Sequence, residues 1–314
     1  MEKKIILRLS NGLGNQMFMY ASAYSLAKKL NRKLLIDNET AFRSRKNISN
    51  FALSYFNLGN EIASDSFKFK SNIGYFKRKF LKFLDKFKTK KKFLIEQKDK
   101  NKITNYDATI FNKEYANDLF MEGHFESEKY FISYKESIKK KFDFKNKDIF
   151  KESPFYKILN ENNSVSICLR QNRFNEGKNK DNSENNIKSN KFSNEQIEYI
   201  NDSINYFKKK ISNPFFCLWS NDIKNIDLSL FSAKITKIDH NKEFYNNLEK
   251  NILDLFLITQ AKNHIVIPST FNWWGAWLCS NKNKIILRPS GKYFTQFKIN
   301  NNDFWPDTWL KINK

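Results

Sequence analysis

Cysteine, histidine, proline and glycine are all scarce in this chain: three, three, five and eight residues among 314. Cys168, Cys217 and Cys279 lie far apart, each among apolar neighbours. That excludes a disulfide framework and reads as buried free thiols in a reducing compartment. No cysteine pair has metal-ligand spacing, and His124, His240 and His264 form no local cluster, so no metal is expected. No run approaches the roughly 20 apolar residues of a membrane span. The N-terminal Met1-Glu2-Lys3-Lys4-Ile5-Ile6-Leu7-Arg8 has too short an apolar stretch for a secretory signal, and a cytoplasmic location is expected. Acids are also few, which leaves a net charge of +23. Such an excess suits an anionic partner such as nucleic acid, a membrane surface or a phosphorylated substrate. Yet only eight of the 56 cationic residues are arginine. Lys, Asn, Ile and Phe are abundant together, as an AT-rich genome produces, and a dedicated nucleic-acid reader leans more on the arginine fork.

What is abundant is apolar and aromatic material. Hydrophobic residues make up 40% and Phe alone accounts for 31 positions, enough for real cores. Lys4 to Leu9 reads as a strand, Ser10 to Gly14 as a tight turn, Asn15 to Leu30 as a helix and Lys33 to Asp37 as a second strand. This is the opening unit of a doubly wound α/β domain. From about Asn38 to Asn117 the pattern degrades into Lys/Phe-rich helical pieces and loops. Within it, Phe67 to Phe93 is expected to hold a helix with Phe inward and a solvated Lys face, although attachment to an anionic membrane also fits. Leu119 to Gly123 resumes as a strand, and Ile132 to Phe142 reads as helical. The polar stretch from Asn146 to Asn163 suits a domain boundary. Alternation then returns. Strands are expected at Ser164 to Leu169, Phe215 to Trp219, Ile235 to Ile238, His264 to Ile267 and Lys284 to Leu287. Helices are expected at Asn194 to Lys210 and Asn246 to Ala261, with Asn172 to Asn190 a long polar loop. Two α/β domains follow, 1–150 and 151–314, the first with an insertion over about 40–118, and ligands belong at the carboxyl ends of the strands.

Four constellations sit at such ends. Gly12-Leu13-Gly14-Asn15-Gln16 is a strand-to-helix turn that lets a ligand near the backbone. It is half a dinucleotide fingerprint, with Asp37 at the ribose position, but Met17 stands where the third glycine belongs; a plain tight turn explains it equally. Arg170 and Arg173 follow a buried strand, where a guanidinium needs an anion or an interdomain partner. Ser220-Asn221-Asp222 follows another strand and suits either a base or ribose contact or a helix cap. Finally, Pro268 ends an apolar run, and Ser269-Thr270-Phe271 opens a helix carrying Trp273, Trp274 and Trp277. Hydroxyls beside free backbone N–H groups suit a phosphate, or else a simple cap.

Taken in order, these segments resemble the α-1,2-fucosyltransferases of glycosyltransferase family 11. Leu9-Ser10-Asn11-Gly12-Leu13-Gly14-Asn15-Gln16-Met17-Phe18-Met19-Tyr20-Ala21 is similar to that family's Gly-Gly-Leu-Gly-Asn-Gln-Met-Phe-Gln-Tyr-Ala signature. Gly123-His124-Phe125-Glu126-Ser127-Glu128-Lys129-Tyr130-Phe131 resembles its Gly-Tyr-Phe-Gln-Ser-Glu-Lys-Tyr-Phe. Ser220-Asn221-Asp222 matches Ser-Asp/Asn-Asp. Ser269-Thr270-Phe271-Asn272-Trp273-Trp274-Gly275-Ala276-Trp277-Leu278 resembles Ser-Thr-Phe-Ser-Trp-Trp-Gly-Ala-Trp-Leu. The family's His-x-Arg-Arg-x-Asp is altered: Cys168, Gln171 and Arg173 replace its His, second Arg and Asp, and Arg170 is kept.

The resemblance implies a GT-B fold of two Rossmann-like domains facing a central cleft. It implies an inverting, metal-independent transfer of fucose from GDP-fucose, a substrate rather than a cofactor, to the 2-hydroxyl of a galactosyl acceptor. The acceptor would be an oligosaccharide or glycolipid of a bacterial surface glycan, met at the inner face of the membrane. By position, Arg170, with Arg173, Ser269, Thr270 and Phe271, would hold the diphosphate. Asn221 and Asp222 would contact guanine or ribose, and Gly12, Gly14, Asn15 and Gln16 would line the donor cleft. Glu176, with Asp181 second, is the expected general base. Three other readings stand: another nucleotide sugar on the same fold, a Rossmann oxidoreductase, and a basic nucleic-acid-binding protein.

Overall fold

The computed structural model describes residues 2–42, 51–175, 183–240, 249–295, 297 and 299–314. The chain divides into two compact units. Unit 1 is Met1–Lys145 with Asn302–Pro306, and unit 2 is Asn146–Asn301 with Asp307–Lys314.

Unit 1 is built on five parallel strands. In chain order its elements are β1 (Lys4–Arg8), α1 (Leu13–Lys29), β2 (Lys33–Asp37), β3 (Glu61–Ile62), α2 (Asn72–Asp85), β4 (Lys91–Ile95), β5 (Tyr115–Glu122) and α3 (Lys135–Lys141). The sheet order is β3-β2-β1-β5-β4. Ile5, Ile6 and Leu7 are fully buried, as a parallel strand covered on both faces requires. Ile6 pairs with Leu35 on one side and Phe120 on the other. Helix α1 is buried nearly all round, including Gln16, Ser22 and Ser25. The stretch that reads as patternless contributes two strands, β3 and β4. Asn302–Pro306 returns to unit 1 through Asp303, which accepts from Tyr106 N at 2.9 Å and pairs with Lys129 at 2.7 Å.

Unit 2 carries six parallel strands. Its elements are α4 (Lys147–Lys151), α5 (Pro154–Glu161), β6 (Asn163–Leu169), α6 (Ser183–Lys210), β7 (Pro214–Ser220), β8 (Ile235–Lys237), α7 (Lys250–Gln260), β9 (Asn263–Ile265), α8 (Thr270–Leu278), β10 (Ile286–Pro289) and β11 (Leu310–Ile312). The order is β11-β10-β9-β6-β7-β8. Two expectations are corrected here. The loop expected over Asn172 to Asn190 gives way to helix from Ser183 onward, because Ser189 and Phe192 turn inward from an otherwise polar sequence. The strand expected over His264 to Ile267 ends at Ile265, although Val266 and Ile267 stay buried. Trp273 and Trp274 are wholly buried. Trp273 packs on Trp277 at 6.0 Å and on Trp309 at 5.4 Å, so these rings form a wall rather than a sugar platform. Gly275 is required by packing: a Cβ there would lie 2.3 Å from Ile258 Cγ2 of α7. Among the described residues no helix is long and apolar enough to cross a membrane.

Candidate active site

In an open parallel sheet, ligands bind beyond the carboxyl ends of the strands where the order reverses. In unit 2 the chain runs β6, β7, β8 in one direction and β9, β10, β11 in the other. The reversal falls between β6 and β9. Arg170 follows β6, and Ser269 and Thr270 lie just beyond β9, so the topology brings these predicted residues to one crevice.

The exit of β6 is held by two amide clamps. Gln196, fully buried on α6, accepts from Arg170 N and donates to Arg170 O, both at 2.9 Å. Asn221 does the same for Gln171, accepting at 2.8 Å and donating at 3.1 Å. Asn172 then turns the chain at φ 53°. The Arg170 backbone is therefore fixed while its side chain stays half-exposed. Arg173 lies with its guanidinium 5.6 Å from the Phe297 ring. Asp222 accepts from Asn225 Nδ2 at 3.0 and 2.9 Å, and its N–H donates to Ser220 Oγ. Glu176 and Asp181 lie outside the described residues.

Ser269 is extended, at φ −146° and ψ 125°, and it precedes α8 without any side-chain capping hydrogen bond. A serine at this position normally accepts from the second or third helical N–H. Here the simple cap fails, and Ser269, Thr270 and Phe271, all half-buried, stand at a helix N-terminus. Orphan N–H groups and the helix dipole make such an end suited to phosphate.

Unit 1 has its own reversal, between β1 and β5. Gly12 follows β1; its φ is −79°, and an added Cβ would meet nothing within 4 Å. Neither strain nor packing demands this glycine, and the space before it is open. Gly14 is buried and Asn15 half-buried. Gln16 is fully buried, donating to Asn11 O at 2.8 Å and accepting from Ala52 N at 3.0 Å, so it braces the turn. Asp37 is buried and caps the next turn, accepting from Glu39 N and Thr40 N. It is not presented as a ribose ligand, which corrects the dinucleotide reading.

A cluster missed from sequence lies across this second reversal. Asn11 Nδ2 and His124 Nε2 are 2.6 Å apart, and His124 Nδ1 is 3.4 Å from Glu126 Oε1. Glu96 accepts the N–H groups of His124 and Phe125, each at 2.8 Å. Asn11, Gly123 and Phe125 all have positive φ, and a Cβ on Gly123 would come 2.2 Å from Glu96 Cβ. Burial alone would lower the His124 pKa, but the Glu126 bond and the charges of Glu126 and Glu96 raise it overall. Burial raises Glu96 in turn. The signal available in sequence was the strand end preceding His124; Glu96, just past the end of β4, gave none. A cavity of ≈ 1210 Å³ in unit 1 adjoins this cluster through Glu96 and Phe125; Lys82, Tyr106 and Tyr130 also line it, and it contains none of the predicted site residues.

Comparison with known proteins matches the family model described as Glycosyl transferase family 11 over residues 4–313. The chain belongs to glycosyltransferase family 11. An Escherichia coli alpha-1,2-colitosyltransferase is 27% identical, with 99% of each chain covered. The O-antigen biosynthesis glycosyltransferase WbnK of Escherichia coli is 26% identical, with 97% of this chain and 99% of that one covered. The solved NodZ alpha-1,6-fucosyltransferase soaked with GDP-fucose has a TM-score of 0.51 at 14% identity, covering 88% of this chain and 93% of that one. The fold is of the GT-B type. Family membership places the chain among glycosyltransferases rather than oxidoreductases.

One feature of this family 11 glycosyltransferase lies beneath the altered motif. Cys168 is buried, and its thiol is pushed well above the ordinary range by burial and by the charge of Asp254. Asp254 Oδ2 meets Lys250 at 3.2 Å, whereas Oδ1 has no hydrogen-bond partner among the described residues. Burial lifts the Asp254 carboxyl to about 6 against a pull downward from Lys250. A carboxyl with a raised folded pKa contributes stability at low pH and loses it as pH rises toward that pKa. Asp254→Asn removes the titration. The variant's stability relative to the parent is expected to rise by up to about 3 kcal/mol between pH 4 and pH 7. Urea midpoints across that window measure it; parallel pH profiles for the two proteins would refute it.

Proposed function

We propose that this family 11 protein is an inverting glycosyltransferase that moves fucose from GDP-fucose to the 2-hydroxyl of a galactosyl unit in a surface glycan. Unit 2 binds the donor and unit 1 serves the acceptor. The observation that carries the reading is the pairing of Arg170 with the uncapped Ser269–Thr270 helix start at one strand reversal. That pairing presents a guanidinium, hydroxyls and helix N–H groups to a diphosphate.

In the transfer, the acceptor oxygen attacks the anomeric carbon as the bond to the β-phosphate oxygen breaks. The electron pair leaves with GDP, where Arg170 and the α8 N-terminus stabilise the growing charge. The acceptor proton passes to a base, for which Glu176 is the residue proposed. His124, backed by Glu126 and bonded to Asn11, is the acceptor-side polar group of unit 1. The reading is supported by the GDP-fucose soaked into NodZ and by the α-1,2 linkage and O-antigen role in the relatives' names.

A second reading keeps the mechanism and changes the sugar. It is favoured by the colitosyltransferase relative and by Cys168 and Gln171 in the altered motif. Purified protein incubated with a galactosyl acceptor and, separately, GDP-fucose, nucleotide-activated colitose, GDP-mannose and UDP-sugars decides between them. Acceptor-dependent GDP release with GDP-fucose alone, giving a 1,2-linked product, is expected. Turnover with a different nucleotide sugar selects the second reading, and release with none overturns both.

A further inference from the structure

Helix α2 is mounted the opposite way from the one its composition suggests. A helix usually turns its apolar stripe toward the core. Here Ile73, Phe76, Phe80, Phe83 and Phe87, the last just past the helix end, are exposed at 81, 67, 61, 55 and 77%. At about 100° per residue they fall within one stripe, together with Leu84. The inward face is polar. Arg78 Nε donates to Glu122 at 2.7 Å and Lys82 bonds the same carboxylate. Asp85 accepts from Lys92 N at 2.7 Å and Phe93 N at 2.9 Å, tying the helix end to β4. Leu81 supplies apolar packing on that side. Ser71 caps the start, accepting from Gly74 N at 2.9 Å.

The margins of the stripe are cationic. By helical position, exposed Lys77 and Lys88 run along one side and exposed Lys79 and Lys86 along the other. The one acid on the helix, Asp85, is buried. Lysines beside an apolar stripe can extend to lipid phosphates while the phenyl rings enter the acyl boundary. Anionic lipid adds an attraction at each lysine.

We infer that α2 is a membrane-surface anchor that lies flat on an anionic phospholipid bilayer, its Phe stripe in the headgroup boundary and its four flanking lysines on the lipid phosphates. A second copy of this chain is the poorer occupant. Two such faces would bring lysine rows against each other with no exposed acid on the helix to meet them. At about 21 Å the helix lies along a surface and does not cross it.

The test is flotation of the full chain with phosphatidylcholine vesicles, with and without phosphatidylglycerol. Binding to the phosphatidylglycerol vesicles is expected to be about tenfold or more tighter and to weaken in high salt. Phe76→Ser, Phe80→Ser and Phe87→Ser together are expected to lower it by about tenfold or more, since the rings are exposed and their loss opens no cavity. Charge reversal, Lys79→Glu with Lys86→Glu, tests the same face without touching the rings and is expected to abolish the lipid preference. Equal binding by the parent and both variants would overturn the inference. So would a lipid-free dimer, seen by sedimentation, that the serine substitutions dissociate.

Discussion

Arg170→Ala is expected to lower turnover by two decades or more while the protein stays folded. The charge that develops on the departing GDP needs donors already in place, and losing one such donor costs about 10²–10³ in rate, or roughly 3–4 kcal/mol. Arg170 meets the placement requirement through its backbone. Buried Gln196 holds both its N–H and its C=O at 2.9 Å, so the side chain leaves the strand from a fixed point. The side chain is half-exposed and its removal opens no core cavity, so thermal stability should change little. An effect made only in the transition state lowers kcat and kcat/KM together. Arg170→Lys keeps the charge but loses the planar fork, and should recover part of the rate. Steady-state kinetics with saturating acceptor measure both variants. Turnover within a few-fold of the parent for Arg170→Ala would remove the residue from the role.

The same strand end shows what the sequence made legible. Apolar runs such as Ile5-Ile6-Leu7 and Ile167-Cys168-Leu169 are short, continuous and followed by polar residues, so strands and their ends could be placed from local pattern. That was enough to place Arg170, Ser269 and Thr270 beyond strand ends. The partners that fix them were not legible, because Gln196 lies 26 residues beyond Arg170 on a helix whose first turns read as loop. The Glu96–His124 bond likewise joins residues 28 apart, one of them in a stretch with no readable period. Helix α2 makes the limit plainest. Its amphipathic period was readable, but which face turns inward depends on Glu122 and on the N–H groups of β4. A hydrophobic pattern alone assigns the wrong face there.

Glu122→Gln is expected to destabilise unit 1 by about 3 kcal/mol, through the contact that seats α2. Glu122 is 6% exposed at the end of β5 and receives Arg78 and Lys82, with Arg8 at 3.9 Å. Removing one partner of a buried ion pair costs about 3–5 kcal/mol, since the other charge is left without compensation. The lower end applies, because Lys82 and Arg8 keep 23 and 27% of their side-chain exposure. The partners respond differently. Burial raises the Glu122 carboxyl, but the Arg78 bond and charge, with Lys82, carry it below the ordinary range. Burial lowers Lys82 in spite of Glu122, so Arg78, the better-buried and always ionised partner, holds the pair. A depressed carboxylate pKa gives stability that is present above the unfolded value of about 4.3 and lost as pH falls through the folded one. The parent should therefore lose this contribution on acidification, and the amide variant should lack it at every pH. Urea denaturation at pH 7 and in acid reads both effects. An unchanged midpoint at pH 7 would mean that the three cations are satisfied by water. With little apolar packing on its inner face, α2 should loosen first, seen as faster tryptic cleavage at Lys77, Lys79 and Lys82.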